Sequence, residues 1–198
     1  DYSDVARAAF QEFLRERYAT DMALQRAWSR TDVTLATASV PSPRRLHEPA
    51  LGYFRDPASE RDVIDWLDCL SHGNSGQILA LAQSAKRSCG GRKLVGTFYG
   101  YFWPHWNTQS AARSGHMDLQ RILASPHIDF ISSPYHYDNR HRGGFHHSQT
   151  VPQTIEHAGK LHVDETDTFT HLADPVKSAD CAIELPRTSE ETCAMLNR

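Results

Sequence analysis

Apolar residues recur at three- and four-residue steps through Ala6, Ala9, Phe10, Phe13, Leu14 and Tyr18, with Arg7, Glu12, Arg15 and Glu16 between them. That is the stripe of an amphipathic helix, and Ser3 or Asp4 can cap its start. Thr20 or Asp21 then opens a second, short helix through Leu24, Ala27 and Trp28. Residues 30–58 carry VPSP, HEP and RDP and predict an irregular connection. The helical period returns over residues 59–87, through Val63, Ile64, Leu67, Leu70, Ile78, Leu79, Leu81, Ala82 and Ala85. Gly73 and Gly76 fall inside that run. Each costs a helix roughly 1 kcal/mol relative to alanine, so the pattern allows a break there. CGG at 89–91 is a stop.

Beyond residue 92 the pattern changes. KLVGTFYGYFW (93–103), HIDFISSPYHY (127–137) and LHVDE (161–165) read as buried strands, with short helices expected over 117–123 and 151–158. SEETCAMLNR begins another helix, with Thr188 or Ser189 as cap and Glu190 and Glu191 in its first turn. Strand and helix in alternation argue for an α/β fold with a parallel sheet. Strands buried on both faces need helices on both sides or closure into a barrel.

Composition narrows the function classes. Acids and bases are interleaved at a net charge of -3 without a basic stripe, which argues against a nucleic-acid partner. No apolar run approaches the roughly 20 residues that cross a bilayer, so no membrane partner is expected either. Cys69, Cys89, Cys181 and Cys193 lie far apart with no C-x-x-C pair, the pattern of buried free thiols rather than of a zinc ribbon or disulfide scaffold. The opening DYSDVARAAF has no secretory pattern. It leaves the compartment open, because the chain is expected to begin inside a longer protein.

The candidate chemistry collects just after each strand's C-terminal end, where parallel α/β proteins place their sites. The first strand offers Tyr99, Tyr101, Trp103, His105 and Trp106; the second Tyr135, His136, Tyr137, Asn139 and Arg140; the third Asp164, Glu165, Asp167 and His171. Aromatic faces beside carboxylates, amides and guanidinium groups suit a carbohydrate. Sugars stack their C–H faces on rings, and acetal cleavage needs carboxylates around an oxocarbenium-like transition state. Trp103 and Trp106 fit sugar platforms or core packing, whereas Tyr99 and Tyr101 lean towards the core. Asp167 fits a structural partner of Arg140 or Arg142. His136, His141, His146, His147, His162 and His171 stand near three acids, but no H-E-x-x-H or H-x-H spacing occurs. No metal and no cofactor are therefore expected.

FQEFLRERYATDMALQRAW (10–28), VPSP…GYFRDP (40–57), IDFISSPYHYDNR (128–140) and GKLHVDETDTFTHL (159–172) together resemble the clan-A glycoside hydrolases, in particular the β-galactosidase-like proteins of family 42 and their relatives. The first stretch follows the pattern F-x-x-W/F-L-R-x-R/K-Y-x-T-x-x-A-L-x-x-A-W. The resemblance implies a (β/α)8 TIM barrel in which 93–103, 127–137 and 161–165 are roughly strands five, six and seven, with flanking helices. Residues 1–92 would be the helical region after strand four, and 93–198 would end in the helix after strand seven. The whole of 1–198 is then one incomplete catalytic domain, truncated at both ends and with little or no activity alone.

The resemblance further implies a retaining glycosidase acting on β-galactosides or related sugars. Glu165 would be its nucleophile, oriented by Tyr135, with Tyr137 as the other candidate for that role. The acid/base glutamate would lie on a strand upstream of this sequence. Trp103, Trp106, His136, Tyr137, Asn139, Arg140, Asp164 and His171 would bind sugar, and the full-length protein could form a homo-oligomer. Strand alternation places Leu161, Val163 and Glu165 on one face and His162 and Asp164 on the other. Which face looks inward is open from the residues alone; the family's preference for glutamate selects Glu165 over Asp164. The alternatives are a non-catalytic carbohydrate-binding barrel and a metal-dependent hydrolase using the histidine-rich loops.

Overall fold

The computed structural model describes residues 2–52, 54–102, 110–135, 148–166, 170–172, 188–190 and 193. The chain divides into two compact units, Asp1–Asn74 with Ala112–Gly115, and Ser75–Ala111 with His116–Arg198.

The first unit is helical. It contains α1 (Asp4–Tyr18), α2 (Asp21–Trp28), α3 (Pro43–His47) and the first half of α4 (Arg61–Ser88). Ser3, Thr20 and Ser42 cap α1, α2 and α3 through side-chain oxygens that accept from Ala6, Ala23 and Arg45 N–H. The segment predicted as irregular thus contains a helix. Ser42 caps it and Pro43, whose fixed φ suits a first turn, begins it. Phe10, Leu14, Leu24, Trp28, Val33, Ala38 and Trp66 form the core. Within it the Phe10 ring stacks on Trp28 at 6.2 Å and meets Trp66 edge-on at 5.2 Å. A fully buried carboxylate, Asp65, sits in this unit. Its Oδ2 accepts from Tyr18 and from the Trp28 indole, each at 2.7 Å, and its Oδ1 lies 3.0 Å from Arg61 Nε.

The second unit holds the later half of α4, β1 (Gly96–Phe98), α6 (Leu119–Ala124), β2 (Phe130–Pro134), α7 (Pro152–His157) and β3 (Leu161–Glu165). A single-turn α5 (Ser110–Arg113) comes between β1 and α6, and its last residues belong with the first unit. α4 runs unbroken through Gly73 and Gly76. Ser75, fully buried between them, donates to Asp118 Oδ2 at 2.6 Å and accepts from Arg121 Nη1 at 3.0 Å. These bonds tie α4 to the start of α6 and offset the low helix propensity of the two glycines.

β1, β2 and β3 form one parallel sheet in that order. Thr97, Ile131 and His162 are in register, as are Phe98, Ser132 and Val163, and Pro134 pairs with Glu165. Neighbours in register project to the same side. One face therefore carries Thr97, Ile131, Ser133, His162 and Asp164. There Ile131 joins a core with Ala82 of α4, Leu119, Ile122 and Leu123 of α6, and Ile155 of α7. The other face carries Gly96, Phe98, Phe130, Ser132, Pro134, Leu161, Val163 and Glu165. On it Phe98, Leu161 and Val163 are 51%, 56% and 43% exposed.

β1 and β2 are shorter than the apolar runs that predict them, while β3 keeps its predicted bounds. β1 stops at Phe98 because Gly100 takes φ +80° and turns the chain out of the sheet. β2 ends at Pro134, which has no N–H to extend the ladder. At the opposite end of the sheet Asp129 holds three elements together. Its Oδ2 accepts from Val95 N–H at 2.7 Å and lies 2.5 Å from Lys86 Nζ of α4, while its carbonyl accepts from Leu161 N–H.

Candidate functional site

The C-terminal ends of the three strands lie side by side, and a short strap, Ser148–Gln149–Thr150, runs across two of them. Gln149 N–H donates to Pro134 O at 3.1 Å, and Gln149 O accepts from Phe102 N–H at 2.9 Å. Ser148 pairs with Tyr135 in an antiparallel bridge. Gln149 and Thr150 are buried. The strap links the end of β2 to the chain leaving β1, and sequence reasoning missed it because SQT carries no periodic or apolar signal.

Glu165 is the last residue of β3 and is exposed. It stands on the face away from α4, α6 and α7, beside the exposed Val163 and in register with Pro134. Tyr135, its expected orienting partner, follows Pro134 directly and is buried. Tyr135 is one residue past the register pair Pro134 and Glu165, so strand alternation turns its side chain to the face opposite Glu165.

Asp164 points to the opposite, helix-covered face. Its Oδ1 lies 3.5 Å from His162 Nε2, and that nitrogen is 3.2 Å from Ser148 Oγ, which is 2.6 Å from Ser133 Oγ. This chain of polar groups joins β2, the strap and β3. Serine and carboxylate meet the same imidazole nitrogen, so the group is not a nucleophilic triad, in which they occupy opposite nitrogens. Asp164 touches His162 at its edge but is itself half exposed, and Glu165 beside it is exposed as well.

At the end of β1, Tyr99 is fully buried, in line with a core role, and its hydroxyl accepts from Asp118 N–H at 3.1 Å. Burial pushes the phenol up to about 12. Tyr101 instead lies flat on the ring of His116, with centroids 4.7 Å apart and planes 7° apart. The sequence singled out neither His116 nor this stack, because His116 lies 15 residues after Tyr101 in a segment with no strand-end position.

Among the remaining expected site residues, His171 is exposed in a turn. Trp103, Trp106, His136, Tyr137, Asn139 and Arg140 lie outside the described residues, as do Asp167 and most of the histidine-rich loop. Among the described residues no group of three or more His, Cys, Asp or Glu side chains is placed to hold a metal ion, and no helix is long and apolar enough to cross a membrane. Cys69 and Cys89 are free and half-buried, and Cys193 is free and exposed. Burial pushes the Cys69 thiol up to about 11, so it is protonated and unreactive at neutral pH. In the first unit a cleft of about 290 Å³ is lined by Trp28, Arg30, Asp32, Arg45 and Asp62. Its arginines are already paired, Arg45 with Asp62 at 2.6 Å and Arg30 with Asp32 at 2.8 Å.

No family model, no curated protein and no solved structure matches this chain.

Proposed function

We propose that the protein is a retaining glycoside hydrolase acting on β-galactosides or related sugars, with Glu165 as its nucleophile. The observation that carries this reading is the position of Glu165. It ends a parallel strand on the face left uncovered by helices, in register with Pro134 at the end of β2.

The sheet supports the architecture this function requires. Three consecutive strands pair in chain order, and both crossover helices, α6 and α7, pack on one face. A doubly wound sheet reverses its strand order and carries helices on both faces; a singly wound one closes into a (β/α)8 barrel. In such a barrel the face bearing Phe98, Leu161, Val163 and Glu165 is the interior. Its exposed apolar side chains are the ones that further strands would bury, and Glu165 sits at the mouth above them. Asp164, on the outer face and engaged with His162, is the weaker candidate.

In the reaction the Glu165 carboxylate attacks the anomeric carbon as the bond to the leaving oxygen breaks. A second carboxyl group, about 5–5.5 Å away, protonates that oxygen. The same group then removes a proton from water, which hydrolyses the glycosyl ester and frees Glu165. By the resemblance, the second group comes from a strand earlier in the protein than α1. By the resemblance, Tyr135 is the residue expected to orient the nucleophile.

Trapping tests the nucleophile directly. A 2-deoxy-2-fluoro-β-galactoside with a dinitrophenolate leaving group needs no protonation to react, so labelling reports on Glu165 alone. Peptide mass mapping of the full-length protein is expected to find the fluorosugar on the Glu165 peptide. A protein that hydrolyses aryl β-galactosides but carries the label elsewhere sinks the assignment. One that binds galactosides and is never labelled is a binding protein instead.

A further inference from the structure

We draw no further inference here: the strongest candidate, the exposed apolar row of Phe98 and Val163 below Glu165 on the uncovered face of the sheet, carries none because nothing in the structure shows what covers it.

Discussion

The Tyr18 hydroxyl donates a 2.7 Å hydrogen bond to Oδ2 of Asp65, a carboxylate 47 residues further along the chain with no exposure to solvent. Trp28 donates to the same oxygen, and the guanidinium groups of Arg17 and Arg61 face the other one. Tyr18, Arg17 and Trp28 all belong to the stretch 10–28 on which the family resemblance chiefly rests, and Phe10, Leu14 and Leu24 of the same stretch are core residues. That stretch builds an anchor for a buried charge. It says nothing of catalysis.

Asp65→Ala leaves two buried donors and two arginines facing a void, and breaking a buried ionic cluster in this way typically costs about 3–5 kcal/mol. Tyr18→Phe removes one neutral donor and should cost about 1 kcal/mol. Urea denaturation of the two variants and of the double variant measures both. The double variant should lose little more than Asp65→Ala, because the Tyr18 bond no longer exists once Asp65 is gone. Full additivity would mean that Tyr18 stabilises the helices through some other contact.

Gly96 faces the ring of its register partner Phe130, which fills the space a Cβ would take. Gly96→Ala should therefore displace the ring and destabilise the protein by about 1–3 kcal/mol, the usual cost of overpacking. Shortening the obstacle should recover part of that loss, so Gly96→Ala with Phe130→Leu is expected to be more stable than the sum of the two single effects. Thermal or denaturant unfolding of the four proteins in the cycle checks it.

The Lys86 ammonium, followed by the Val95 N–H, holds the Asp129 carboxyl below its ordinary range. A carboxyl whose folded pKa is depressed binds fewer protons folded than unfolded. Its contribution is present above the unfolded value of about 3.9 and is lost as pH falls through the lower folded one. Unfolding free energy should thus decline between about pH 5 and pH 2, and Asp129→Asn should flatten that decline while lowering stability at pH 7. A variant with an unchanged acid slope would remove Asp129 from the account.

The elements of the fold were largely readable from the sequence, the site only in part. α1, α2 and α4 follow their periodicity closely, because each has one face buried and one in water; β3 has the predicted bounds but not the predicted burial, since only His162 in it is even partly buried. β1 reads long, since the apolar run continues through Phe102 while the chain leaves the sheet at Gly100, and no periodicity registers a single positive φ. α3 was hidden among prolines, one of which starts it. Glu165 and Asp164 were legible as candidates but not separable, since alternation gives two faces without saying which is covered. The packing of Ile131 against α6 and α7 supplies that distinction. His116 was not legible at all, because its place in the fold is set by Tyr101 and Gly100, which meet it only in three dimensions.

Glu165 and Asp164 are neighbours in sequence on opposite faces of β3, and this makes them a controlled pair. If Glu165 is the nucleophile, Glu165→Gln in the full-length protein should lower kcat on aryl β-galactosides by on the order of 10³-fold or more, as loss of a covalent catalyst does, while galactoside binding persists. Asp164→Asn alters a carboxylate that contacts His162 rather than substrate, and should cost no more than about tenfold in kcat with a modest loss of stability. A further variant, Glu165→Ala, opens space for an external nucleophile. Added azide should then restore turnover of activated substrates and yield the α-glycosyl azide, formed by attack from the side Glu165 occupied. The same rescue in Asp164→Ala but not in Glu165→Ala would reverse the assignment and put the reacting face of the sheet on the side that α6 and α7 cover.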